Sequence, residues 1–319
     1  MKYAKTVFKW LMYAAVVASI VFFVRAFMIH MEKLPPIPLN LTTVAIGLLS
    51  MVSVVVTHFF GTHVWRLLMS DQGHRVPTRL AVQVFFISQL GKYLPGNVGQ
   101  FIGRGVLAKS TGIPVGVAVG TAVFEGIWNL AISCSLALLG TVVLLDLHTA
   151  GGAAPAFASK LVWILPLALV APWLGIKVLN TVLPGLSKKI GGGQLLRPPQ
   201  LRTALFVSLL ILINFMQQGY VVKLQSEYLF ASPDIDWFSI ALLYSSAWVV
   251  GYVVPGSPGG LGVREAMMVV LFTPLTGAAV AAGLAVSMRL TTLLGDALTV
   301  LLGVLGRRMQ QHKTPAATP

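Results

Sequence analysis

Residues 91–104 read GKYLPGNVGQFIGR, and residues 251–264 read GYVVPGSPGGLGVR. Set 160 positions apart, the two stretches share Gly91/Gly251, Pro95/Pro255, Gly96/Gly256, Gly99/Gly259 and Arg104/Arg264. Each interrupts an apolar segment, the first spanning 80–110 and the second 238–273. Proline removes a backbone donor and crowds the preceding helical turn, and glycine adds chain entropy. Each segment therefore reads as two short helices joined by a break. Freed backbone at membrane depth is tolerated only where protein buries it or a wet cavity receives it. The arm 80–94 reaches ~22 Å and the arm 264–273 reaches ~15 Å at the helical rise, against the ~30 Å of a bilayer core. The pattern predicts two re-entrant helical hairpins rather than full crossings.

The remainder of the chain fits that setting. It has 319 residues, 56% hydrophobic and only 10% charged. A water-soluble domain carries about 25% charged residues, so a water-facing surface of this size is excluded. Apolar runs at 8–29, 41–66, 114–146, 161–183, 203–223 and 277–305 are long enough to cross a bilayer as helices. The run 114–146 exceeds what a crossing needs and is expected to tilt. The sequence predicts one integral membrane domain over 1–319, an all-α polytopic membrane protein. It comprises about six transmembrane helices plus two re-entrant helical hairpins, and a short tail at 306–319. Lys2, Lys5 and Lys9 precede the first run as in a signal peptide, but no small-residue cleavage site follows, so the run reads as a retained helix.

Charge orders the segments. The net charge of +14 is spread between apolar runs rather than gathered in one patch, which points to the positive-inside rule and not to nucleic acid. With re-entrant hairpins and a cytoplasmic N-terminus, the inner segments hold Lys2, Lys5, Lys9, Arg66, Arg75, Arg79, Lys109, Lys188, Lys189, Arg197, Arg202, Arg307, Arg308 and Lys313. The outer ones hold Lys33, Lys160 and Lys223 beside Glu32, Asp146, Glu227, Asp234 and Asp236. Full crossings would instead put the basic loop 184–202 outside. The expected protein is thus multi-pass in the cytoplasmic membrane with both termini cytoplasmic. Its halves, 8–146 and 161–305, become inverted repeats, the arrangement of many secondary transporters.

Charges inside a membrane are costly and need a reason. The candidates are Lys92, Arg104, Glu125, Arg264, Glu265, Arg289 and Asp296. Arg104 and Arg264 follow their breaks at equivalent places, where a guanidinium and a helix N-terminus together suit an anion. The breaks themselves, Pro95, Gly96, Gly99, Pro255, Gly256, Gly259, Gly260 and Gly262, would let backbone approach a ligand. Each reading has a plainer rival. Arg104 reads equally well as a side chain snorkelling to the interface. Arg289, Asp296 and Glu125 read equally well as partners in ion pairs that hold the halves together. Gly112, Gly116 and Gly120 read as a helix-packing stripe. His58 and His63 lie five apart, which matches no zinc motif, and read as packing or interfacial residues. The single cysteine, Cys134, excludes internal disulfides. No phosphate loop, HExxH or catalytic triad stands in the sequence, so neither enzyme activity, cofactor nor metal is expected.

KYLPGNVGQFIGR at 92–104 and PGSPGGLGVREA at 255–266 resemble the signatures of the lysylphosphatidylglycerol synthase transmembrane-region family, over about 8–305. That resemblance implies translocation of a lipid or lipid-linked amphiphile, with Arg104, Arg264 and Glu265 on motif positions and Glu125 and Arg289 on charged positions of the following helices. The family often carries an acid–base pair after the first motif, whereas Gly126 follows Glu125 here. The bifunctional relatives also carry a soluble aminoacyl-transferase domain, for which the residues after 305 leave no room. The expected function is a flippase-like lipid transporter whose partner is a membrane lipid, most simply an anionic one. A membrane enzyme acting on a lipid-phosphate, and a non-catalytic subunit recruiting a glycosyltransferase, stand as alternatives. Homo-oligomerisation stays open.

Overall fold

The computed structural model describes residues 36–311 except 95–97, 111, 149–163, 192, 233 and 255–256, together with isolated positions between 21 and 29. The expected span 8–29 lies almost wholly outside the described residues, as do Pro95, Gly96, Pro255 and Gly256. The described residues form helices and no strand. In chain order these are α1 Leu41–Asp71, α2 Thr78–Ser88, α3 Gly99–Lys109, α4 Val115–His148, α5 Ile164–Val182, α6 Pro184–Ile190, α7 Leu201–Phe230, α8 Trp237–Val253, α9 Val263–Thr276 and α10 Ala278–Gln311. Short 3-10 turns, Gln89–Tyr93 and Pro258–Gly260, sit at the two breaks. Helices α1, α4, α7 and α10 are long and apolar enough to cross a membrane, and they occupy four of the expected runs. Helix α5 falls on a fifth.

Helix α1 shows why these helices need lipid. Its buried side carries Thr43, Ser50, Ser53, His58 and Thr62. Its outward side exposes Leu41, Val44, Leu48, Leu49, Val52 and Phe59. In water that order would be reversed; in hydrocarbon it keeps polar groups among protein. The hydroxyls are satisfied locally, with Ser50 donating to the Ile46 carbonyl at 2.7 Å and Thr62 to that of His58 at 2.8 Å.

The interrupted segments are two helix pairs. Helices α2 and α3 have 11 residues each, and α9 has 14. At the helical rise these reach ~17 Å and ~21 Å, still below a bilayer core. The return arm of the second pair is thus longer than the ten residues expected from sequence. Glycine makes each pair close. A Cβ on Gly91 would overlap the carbonyl carbon of Gly99, and one on Gly251 would lie 2.8 Å from the Cβ of Arg264. Gly91 and Gly251 are the matched glycines of the 160-residue offset.

The packing is reciprocal between halves. Under the same offset α1 maps to α7, α2 to α8 and α4 to α10. Helix α2 packs on α10 while α8 packs on α4, α1 packs on α7, and α3 and α9 pack on the long helices that follow them. The 3-10 turns of the two breaks touch. Each such contact has its counterpart in the other half under the offset. Gly112 corrects one expectation: it lies in the turn before α4 with φ +81°, so no single helical stripe joins it to Gly116 and Gly120.

Candidate functional site: a charged cavity between the breaks

The two breaks with their helices α2, α3, α8 and α9, and the long helices α1, α4, α7 and α10, line a cavity of about 220 Å³. Lys92, Arg104, Glu125, Arg264, Arg289 and Asp296 line it. Glu265 lies just behind, held against two of the arginines. The seven charged residues singled out from sequence thus converge from both halves.

Three carboxylates organise the site. Glu125 of α4 pairs with Arg104 of α3, and both are buried. The Arg104 guanidinium lies over the Phe85 ring at 3.8 Å from its centroid, with Trp65 at 5.9 Å. Arg104 is therefore enclosed, which rules out snorkelling to an interface. Glu265 caps its own helix: it accepts from the Gly262 N–H at 2.6 Å. Its other oxygen lies 3.4 Å from Arg289 Nη1 and 3.7 Å from Arg264 Nη2. A side chain of α9 thus takes one backbone donor at the start of that helix. Asp296 of α10 meets His58 of α1 at 2.7 Å and Lys92 at 2.7 Å, and accepts from the Tyr93 hydroxyl. One carboxylate thereby ties the first break to the last helix and to the first described one.

The glycines of the second break serve backbone geometry first. Gly259, Gly260 and Gly262 all take positive φ, at +59°, +74° and +80°, a region that other residues enter at a cost of roughly 1–2 kcal/mol. Gly259 also lines the cavity, and its carbonyl accepts from Arg289 at 3.2 Å. Gly99 is packed against Gly91 rather than open to a ligand.

Donors are left over. Arg104 Nε, Arg264 Nε and Arg289 Nη2 are buried with no hydrogen-bond partner among the described residues. Arg264 otherwise donates to Thr292 at 3.1 Å. Lys92, Arg104, Arg264 and Arg289 outnumber Glu125, Glu265 and Asp296 by one among the described residues of the site. Buried unpaired donors cost about 1–3 kcal/mol each, so this cavity is chemically suited to a group bearing negative charge.

The sequence reading missed His58, taken as a packing or interfacial residue. It also missed Tyr93, Asn214, Gln218 and Tyr244 of the lining, and it gave Tyr252 no place in the site. The recurrence of Ser50, Ser53, Thr57, His58 and Thr62 at helical spacing is the signal that would have turned His58 inward.

These features define a polytopic, all-α membrane protein with a buried charged cavity where two interrupted helix pairs meet. The chain belongs to the lysylphosphatidylglycerol synthase transmembrane-region family, whose profile matches residues 10–303. No curated protein matches it.

Proposed function

We propose that the protein moves an anionic membrane lipid between leaflets, with the headgroup passing through the cavity between the breaks. The observation that carries this reading is the set of unpaired guanidinium nitrogens on Arg104, Arg264 and Arg289 in a cavity whose carboxylates are already engaged. Guanidinium suits phosphate oxygens by geometry as well as charge. Family membership supports a lipid-related role. In this reading the helix pairs are re-entrant from opposite sides, the halves are inverted repeats in the cytoplasmic membrane, and both termini are cytoplasmic. Cysteines placed within 188–197 on a Cys134→Ala background should then react with impermeant reagents only from the inner side.

The direct test is reconstitution of the pure protein in liposomes carrying labelled anionic and zwitterionic lipids, scored for leaflet exchange. Exchange of the anionic lipid that Arg264→Ala abolishes, without loss of folded protein, is the expected result. No exchange by well-folded protein would turn the reading toward a lipid-phosphate enzyme or a recruiting subunit.

A further inference from the structure

Resting on that reading, we infer that the headgroup is a phosphate ester of a ring polyol, a sugar or a cyclitol, and that it carries no ammonium group. The cavity lining carries two chemically different sets of groups. One is the guanidinium groups of Arg264 and Arg289. The other is Asn129 of α4, Asn214 and Gln218 of α7, and the aromatic pair Trp248 and Tyr252 of α8. The Asn129 amide already donates to the Glu125 carbonyl at 3.0 Å, and the Gln218 amide to the Thr57 hydroxyl at 2.6 Å.

The amides do not suit phosphate. A carboxamide presents a donor and an acceptor side by side. Asn214 Oδ1 is buried and without a partner among the described residues. Phosphate oxygens are acceptors and leave an amide acceptor unsatisfied. A hydroxyl satisfies donor and acceptor alike, and an ammonium satisfies the acceptor.

Charge decides between those two. An ammonium headgroup needs a carboxylate to receive it. Glu125 is held by Arg104, Glu265 by the Gly262 N–H and two arginines, and Asp296 by His58, Lys92 and Tyr93. The remaining balance at the site is positive. A second cation would enter unpaired, at the cost of burying an uncompensated charge. Hydroxyls carry no such cost.

The aromatic pair gives the ring. Trp248 and Tyr252 stack at 4.7 Å with 13° between planes, and Phe215 meets Trp248 edge-on at 5.2 Å. All three rings are among the lining residues, so apolar ring surface and amides share the cavity. An apolar face beside amides matches a ring polyol, which has C–H faces and an O–H rim.

The test uses the full-length protein in phosphatidylcholine vesicles with trace labelled lipids. One arm carries phosphatidylinositol and another a polyprenyl-phosphate hexose, which separate cyclitol from sugar. A third carries phosphatidic acid and a fourth phosphatidylethanolamine. Exchange of a ring-polyol lipid at least tenfold faster than the last two is expected, and Asn214→Leu and Trp248→Ala should each lower that ratio at least fivefold. Equal exchange of phosphatidic acid would overturn the polyol and leave anionic lipid transport standing. Faster exchange of phosphatidylethanolamine would overturn the inference outright. If no lipid moves, transport itself fails, and binding of soluble hexose phosphate against inorganic phosphate, read by tryptophan quenching, still decides the headgroup. Tighter hexose phosphate supports it; equal binding overturns it.

Discussion

Arg104 and Arg264 occupy the same point of two matched breaks, yet their surroundings differ. Arg104 has one carboxylate to itself, Glu125, and an aromatic ring beneath it. Arg264 shares Glu265 with Arg289, and that carboxylate is also bound to a backbone N–H. The helices that follow explain the contrast. At the 160-residue offset Glu125 corresponds to Ala285, and Arg289 to Asn129. The long helix of the first half gives its arginine an acid of its own, Glu125; that of the second brings a base, Arg289, to the shared Glu265, and its acid, Asp296, is taken by His58, Lys92 and Tyr93. Matched sequence therefore fixes where a side chain sits, while the neighbouring helix decides whether its charge is spent. By this comparison Arg104 is a latch within the first half, and Arg264 is the group that the proposed function holds in reserve for a ligand.

The largest expected effect breaks the latch. Glu125→Ala leaves Arg104 buried without its counter-charge, a loss of about 3–5 kcal/mol, and thermal unfolding in detergent should show most of the folded protein gone. Arg104→Met with Glu125→Leu should recover much of it, because an apolar replacement of both partners removes the buried charge. Persistent folding of Glu125→Ala would mean that water reaches Arg104.

Next come the glycines. Gly91→Ala forces a methyl into the backbone of Gly99 and should cost about 1–3 kcal/mol as overpacking. Gly259→Ala meets the Tyr93 ring at an ordinary 3.4 Å, so its cost is mainly the positive φ, about 1–2 kcal/mol. Unfolding midpoints should rank them in that order. A Gly259→Ala variant that retains its stability yet transports poorly would assign Gly259 to the ligand path.

Arg264→Lys probes the reserve. It keeps the charge and loses the planar fork, so transport should fall about tenfold, the value of one charge-assisted hydrogen bond, with folded protein unchanged. Arg104→Lys should instead show mainly in the unfolding midpoint.

How much of this was legible beforehand follows from distance along the chain. Four long helices and the two breaks could be read from apolar runs and Pro-Gly clusters, since both signals are local. The pairing of Arg264 with Glu265 is adjacent in sequence, and Arg104 with Glu125 is one turn of chain direction away. His58 with Asp296 spans 238 positions and depends on which faces of α1 and α10 meet. Helix α1 is apolar nearly all round, and the usual rule that the apolar face turns inward fails in lipid. Only its hydroxyl residues mark the buried side. Ion pairing of Glu125 and Asp296 was one of two readings that the residue types allowed; which partners each carboxylate meets could not be read from them.

The smallest effect lies at the helix starts. Asp236 caps α8 by accepting from the Ser239 N–H at 2.8 Å, whereas α2 starts at Pro77 with no side-chain cap. Asp236→Ala should cost about 1 kcal/mol. That hydrogen bond holds the Asp236 carboxyl below its ordinary range. The cap is therefore intact above the ordinary carboxylate range and is lost as pH falls through the lowered value. A pH-dependent difference between wild type and Asp236→Ala, confined to the acid side, checks it.

The glycine crossings also set the mechanics of the molecule. With Gly91 seated on Gly99 and Gly251 on Arg264, neither helix pair can splay about its own break without losing backbone contact. Each pair is a stiff tooth and not a hinge. Packed interfaces switch between discrete arrangements rather than deforming smoothly. In the proposed transport, opening the cavity to one side and then the other would be a sliding of whole teeth against α1 and α7, and the contacts of Asp296 with His58, Lys92 and Tyr93 are the pin such a slide would draw.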